Sequence, residues 1–213
     1  MEMAMRIDEI INAASVIPVL EVADLARAAP LAKALAAGGL RVVELTLRTG
    51  CALDALKAMQ DAAPDLIVGM GTVRTGDDVR RSVEAGAAFL VSPGASVSLL
   101  KAIADSGAPA LPGVATASEA MTAVEAGFKA LKFFPAEPAG GVDYLKSLAG
   151  PLPEIVFCPT GGISAEKAPD YLALANVACV GGSWIATKKQ ISGGDWSAIE
   201  GNARRAAGMK KRG

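Results

Sequence analysis

The chain has 213 residues, a formal net charge of -1, 52% hydrophobic residues and only 4% aromatic ones. That length suits one sizeable domain, with residues 1–213 taken as a single unit and an aliphatic, alanine-rich core. The near-neutral charge gives no electrostatic footprint for nucleic acid, and the absence of any long apolar run argues against a secretory leader or a membrane span.

In chain order, a helix is expected over about residues 6–14, followed by a strand at Val16–Leu20. Asp24 is a good N-cap for a helix reaching about residue 37, and Gly38-Gly39 ends it. Further strands fall at about 41–47, 66–70, 88–91, 108–111, 129–135, 155–157 and 177–180. Helices separate them at about 53–62, 77–85, 97–105, 118–125, 142–148 and 165–173, three of them closed by Gly86, Gly107 and Gly127. A last helix is expected at Trp196–Ala207; the basic residues Arg204, Arg205, Lys210, Lys211 and Arg212 read as its solvated end. Eight βα units with no linker between them imply parallel strands and right-handed crossovers. The expected fold is α/β, a single (β/α)8 TIM barrel with an extra N-terminal helix. A doubly wound sheet is the alternative. It would normally carry a glycine fingerprint after its first strand, where this chain has Glu21-Val22-Ala23-Asp24.

The chain has no histidine. Ser-His-Asp and Cys-His catalysis are therefore excluded, as are zinc and iron sites that need histidine. Acid–base work falls to carboxylate, Lys, Tyr, Cys or water. Cys51, Cys158 and Cys179 are odd in number and widely spaced; they read as reduced thiols of a cytoplasmic protein, and no metal or cofactor is expected.

Against that background Lys132 stands out. It lies inside the strand Lys129-Ala130-Leu131-Lys132-Phe133-Phe134-Pro135, and alternation puts Leu131 and Phe133 on one face, Lys132 and Phe134 on the other. A buried ammonium is costly, whereas a neutral amine is a nucleophile. Lys129 lies on the opposite face, and snorkelling to solvent is the plainer alternative for Lys132. On the second strand Val42, Glu44, Thr46 and Arg48 share the inward face. A Glu44–Arg48 ion pair that only fills space fits that pattern too. In a barrel, chemistry sits at the C-terminal strand ends. Gly69-Met70-Gly71-Thr72 offers glycines that let a ligand approach and a hydroxyl; Ser92-Pro93-Gly94 and Pro112-Gly113 are turns. Gly161-Gly162 and Gly181-Gly182, after the last two strands, suggest a phosphate cradle.

These segments carry a resemblance. Glu44-Leu45-Thr46-Leu47-Arg48-Thr49, Gly69-Met70-Gly71-Thr72-Val73, Ser92-Pro93-Gly94, Lys132-Phe133-Phe134-Pro135-Ala136-Glu137, Phe157-Cys158-Pro159-Thr160-Gly161-Gly162-Ile163-Ser164 and Gly181-Gly182-Ser183-Trp184 follow one another in order. Over residues 16–184 the chain resembles the bacterial 2-keto-3-deoxy-6-phosphogluconate (KDPG) and 4-hydroxy-2-oxoglutarate (KHG) aldolases, a class I family. The resemblance implies Lys132 as Schiff-base lysine and Glu44 as acid–base residue. It implies Arg48 and Thr72 at the pyruvate carboxylate, Pro93 and Phe134 as apolar walls, and Thr160, Gly161, Gly162, Gly182 and Ser183 around the rest of the substrate, phosphate included. It further implies a metal-free cytoplasmic homotrimer. Its expected reaction cleaves the phosphorylated 2-keto sugar acid to pyruvate and D-glyceraldehyde 3-phosphate, the Entner–Doudoroff step. An aldolase for the galactonate epimer or for 4-hydroxy-2-oxoglutarate, an epimerase or isomerase without an imine, and a non-catalytic binding protein are the alternatives. Glu21 departs from the family pattern, which has an apolar residue or arginine there in some relatives. Glu137 reads as a loop-shaping residue.

Overall fold

A computed structural model describes residues 5–209. Its strands are β1 (Val16–Leu20), β2 (Val42–Thr46), β3 (Ile67–Gly71), β4 (Leu90–Val91), β5 (Ala110–Leu111), β6 (Gly113–Val114), β7 (Ala130–Phe133), β8 (Val156–Pro159) and β9 (Val180–Gly182). All paired strands run parallel. A six-stranded sheet has the order β5-β4-β3-β2-β1-β9, and a three-stranded sheet has the order β6-β7-β8. The strand expected at 108–111 is shortened to β5, and a further strand, β6, joins the other sheet, so the two are split at Pro112. Pro112 lies at the split and has no N–H to give to a ladder, although its carbonyl still accepts from Lys132 N at 2.9 Å. At the other edge, isolated parallel bridges join Phe157 to Val177 and Thr160 to Gly181. The result is an α/β fold on a curled parallel sheet.

The helices are α1 (Ile7–Asn12), α2 (Ala28–Ala37), α3 (Ala52–Ala62), α4 (Gly76–Glu84), α5 (Val97–Ser106), α6 (Ala117–Glu125), α7 (Gly141–Leu148), α8 (Ala168–Leu172), α9 (Lys188–Gly193) and α10 (Trp196–Ala207). Thr75, Thr116 and Thr187 each close a capping box at the start of α4, α6 and α9. Each satisfies backbone donors that a helix start otherwise leaves bare. Asp24 caps a single 3-10 turn, Leu25–Arg27, and not α2 itself. Helix α9 was not expected from the sequence: its six residues are too few to show a 3.6-residue period. Lys210, Lys211 and Arg212 lie outside the described residues, while Arg204 pairs with Glu200 along α10. No helix among the described residues is long and apolar enough to cross a membrane.

Alternation along the strands divides the core in two. Val43, Leu45, Val68, Met70, Leu131 and Phe133 pack outward into the helix layer. Ile17, Val42, Phe89, Val91, Leu111, Ala130 and Cys158 form a separate inner cluster, with Ile10 and Ile11 of α1 joining it. Each fully buried Val, Leu, Ile or Phe contributes about 1.5–3 kcal/mol. The inner cluster occupies the N-terminal part of the interior, which leaves the C-terminal strand ends for polar groups.

Candidate active site

Lys132 and Glu44 meet across that interior. Lys132 Nζ lies 3.1 Å from Glu44 Oε1 and 3.3 Å from Oε2. The two residues are only 5% and 4% exposed. They come from β7 and β2, which are not neighbours in either sheet. Lys132 does not snorkel. Removing two charges from water costs several kcal/mol per ion, and one pair contact seldom returns more than that; stability alone does not account for the pair. The ammonium also faces the Phe134 ring, 5.4 Å from its centroid. A cation near an aromatic face is favoured by the ring quadrupole.

Glycines in β3 make the room. A Cβ on Gly71 would lie 2.1 Å from Glu44 Oε1, and one on Gly69 would lie 2.4 Å from the Phe89 ring. These glycines, read from sequence as an approach path for a ligand, are filled by the protein's own side chains. Thr46, on the same face of β2 as Glu44, is buried and donates to Leu20 O at 2.8 Å.

Arg48 does not pair with Glu44. A strand rises about 3.3 Å per residue, so residues four apart on one strand are separated by roughly 13 Å. Arg48 Nε instead donates to Thr72 Oγ1 at 3.0 Å, and Nη1 lies 3.9 Å from Glu21 Oε2. Thr72 has φ 61°, a conformation a β-branched residue rarely adopts. Holding such a residue there costs on the order of 1–3 kcal/mol and is characteristic of functional positions. Glu21 Oε1 accepts from Lys188 Nζ at 2.6 Å. Glu21, Arg48, Thr46, Ser183 and Lys188 line a cavity of ≈ 240 Å³. Lys188 is thus at the site, and sequence reasoning passed over it because it opens the unexpected helix α9.

The glycine turns lie beside this group. Thr160 bridges to Gly181, and a Cβ on Gly181 would be 2.2 Å from Thr160 Oγ1. Gly161 and Gly162 have φ of 105° and 80°. A Cβ on Gly161 would press on Phe134 at 3.3 Å. Gly182 lies in β9, and the exposed Ser183 follows it at the strand's C-terminal end. A Cβ on Gly113, the register partner of Lys132, would lie 2.4 Å from the Pro93 carbonyl carbon. Glu137 ties these turns to α8. Its N–H donates to Gly161 O at 3.0 Å, and its carboxylate accepts from Lys167 and Tyr171. The Lys167 bond, then the Tyr171 bond, hold the Glu137 carboxyl below the usual carboxylate range, against the opposing effect of burial. Burial first, and the Glu137 contact second, push the Tyr171 phenol well above the usual tyrosine range, so it remains a donor. Cys51 is half-buried, and Cys158 and Cys179 are buried.

This arrangement has known counterparts. A KHG/KDPG aldolase of Escherichia coli K12 is 47% identical over 199 residues, 93% of each chain. The 2-keto-3-deoxy-6-phosphogluconate aldolase of Zymomonas mobilis ZM4, solved with 3-phosphoglycerate, superposes with a TM-score of 0.92 at 43% identity, covering 96% of each chain. The KDPG aldolase of Legionella pneumophila, in which pyruvate was captured at low pH as a covalent carbinolamine, superposes with a TM-score of 0.93 at 43% identity, covering 95% of this chain and 98% of the other. Residues 7–201 match the family described as KDPG and KHG aldolase, and with relatives this similar over nearly the whole chain, the protein belongs to that family of aldolases.

Proposed function

We propose that the chain is a Schiff-base lyase that cleaves 2-dehydro-3-deoxy-6-phosphogluconate to pyruvate and D-glyceraldehyde 3-phosphate. The observation that carries this reading is the buried Lys132–Glu44 contact at 3.1 Å. Glu44 is within reach to take a proton from the Lys132 ammonium. The resulting amine adds to the C2 carbonyl of the sugar acid, giving a carbinolamine; its hydroxyl leaves as water with the proton returned by Glu44, giving the protonated imine and a free carboxylate. Removal of the C4 hydroxyl proton, by Glu44 directly or through a water, then breaks the C3–C4 bond, and the electron pair passes into the imine. Glyceraldehyde 3-phosphate leaves; the enamine takes a proton at C3 and is hydrolysed to pyruvate. Arg48, which donates to Thr72, clamps the keto-acid carboxylate. Pro93 and Phe134 wall the reacting end. Thr160, Gly161, Gly162, Gly182 and Ser183 receive the distal, phosphorylated end, supported by the positive φ of Gly161 and Gly162, a backbone form suited to anion cradles.

The same reading takes β5 and β6 as halves of one strand, and the bridges from β8 to β9 as the seam of a closed (β/α)8 barrel with its mouth at these residues. A cytoplasmic homotrimer belongs to it as well, on family likeness, and sedimentation tests the assembly. The name of the E. coli relative also supports 4-hydroxy-2-oxoglutarate as a second substrate, to be ranked by kcat/KM. The deciding experiment is incubation with pyruvate and borohydride, followed by peptide mass spectrometry. A reduced pyruvate adduct on Lys132 is expected. Its absence overturns the aldolase reading in favour of an epimerase or isomerase that forms no imine.

A further inference from the structure

Glu21 follows β1 directly, with a side chain only 20% exposed, and its two oxygens face two different cations. Arg48, which follows β2, lies 3.9 Å from Oε2, and Lys188, which opens α9, lies 2.6 Å from Oε1. Both cations line the same cavity. Arg48 also donates to Thr72, and Lys188 lines the cavity together with Ser183. One carboxylate between two cations leaves this wall with an excess of positive charge. The adjoining cavity of ≈ 360 Å³ extends the pattern, with Asp24, Arg27 and Lys189 lined up beside Glu21 and Lys188. Arg27 there is 3.6 Å from Asp24, so Lys188 and Lys189 still tip the balance positive. Lys188 is 73% exposed and would sample many rotamers if untethered. Held on Glu21, it is positioned before any ligand arrives.

We propose that Lys188, positioned by Glu21, is a specificity-determining residue that contacts the distal phosphate of the substrate, while Arg48 on the same carboxylate serves the keto-acid end. The inference rests on the aldolase reading and adds to it a cation that the backbone cradle lacks. An incoming phosphate dianion accepts a charge-assisted hydrogen bond from the Lys188 ammonium near Ser183. Glu21 thereby couples the two ends of the substrate through one side chain. The departure of this chain from its family at Glu21 then has a physical role: an apolar residue there would leave Lys188 without its anchor.

The test compares kcat/KM for 2-keto-3-deoxy-6-phosphogluconate with that for the unphosphorylated 2-keto-3-deoxygluconate, in the parent protein and in K188M, K188R and E21Q. Each protein is also trapped with pyruvate and borohydride. K188M is expected to lower the preference for the phosphorylated substrate about tenfold, the worth of one exposed charge-assisted contact. The effect should appear mainly in KM. K188R is expected to restore at least half of the preference, a rescue that a purely structural lysine would not require. E21Q is expected to lower the preference about threefold, because Lys188 is released to solvent. A trapped adduct with a preference in K188M within twofold of the parent overturns the role of Lys188 and leaves the aldolase reading intact. No adduct in the parent protein overturns the aldolase reading, and this inference with it.

Discussion

Val42 and Glu44 share one face of β2, two residues apart, and Ala130 and Lys132 share one face of β7 in the same way. The first residue of each couple belongs to the apolar inner cluster with Ile17, Phe89 and Cys158. The second belongs to the buried ion pair. One step of the pleat therefore separates packing from chemistry. The N-terminal half of the interior is filled by apolar side chains, with Ile10 and Ile11 of α1 packed into it. The C-terminal half carries charges, a positive-φ threonine and glycine turns. The division means that a substitution in the lower half should change stability with little effect on the reaction, and one in the upper half should do the reverse.

The largest effect expected is that of Lys132→Ala. Without the amine no imine forms, and turnover should fall by roughly 10⁴-fold or more. Steady-state kinetics on purified, folded protein measure this, and turnover close to the parent's would contradict the assigned role. Glu44→Gln keeps the shape of the side chain and removes its base. A fall of about 10²–10³-fold in kcat is expected, within the usual range for a positioned acid–base group. If KM alone changed, Glu44 would be a binding residue instead.

A sharper version of the comparison uses the two glycines of β3. In Gly71→Ala the added methyl collides with the Glu44 carboxylate, so kcat should fall by about 10–100-fold as the proton-transfer geometry is lost. In Gly69→Ala it collides with the Phe89 ring, and overpacking of this kind costs about 1–3 kcal/mol. At this chain length that corresponds to a fall in Tm of about 2–4 °C per kcal/mol, with kcat within about twofold of the parent. Two alanines on one face of one strand would then separate the halves of the interior. Equal losses of kcat in both variants would show that the division is not real.

Most of the fold was legible because its signals are local. Val16–Leu20 and Trp196–Ala207 begin and end where periodicity places them, and most other strands and helices differ by one to three residues at their ends. The facing of Leu131 and Phe133 against Lys132 also follows from strand alternation alone. What was not legible depends on contacts distant in sequence. The partner of Glu44 is 88 residues away on β7, not four residues away on its own strand. Glycines that look like an approach path turn out to accommodate Phe89 and Glu44. Lys188 is an ordinary surface lysine until the fold sets it against Glu21, 167 residues earlier. Pro112 shows in the sequence as a turn, but its break of a parallel ladder appears only when the neighbouring strands are in place.

The smallest effect expected separates the turns from the interior they frame. Glu137 joins the chain after β7 to Gly161 through its backbone, and to Lys167 and Tyr171 through its carboxylate. Its folded-state pKa is lowered from 4.5. A depressed carboxylate stabilises the fold fully above its unfolded pKa, and that contribution disappears as pH falls through the lower folded value. Glu137→Gln keeps an oxygen acceptor and removes the charge. With its carboxylate partly exposed and its bonds screened by solvent, the loss at neutral pH should be about 1 kcal/mol. Denaturant unfolding of both proteins between neutral pH and acid measures it. The difference should be constant near neutrality and shrink towards zero as pH drops below the usual carboxylate range, because protonation then removes the same charge from the parent. A difference that stayed constant into acid would mean that Glu137 acts through the shape of its hydrogen bonds and not through its charge.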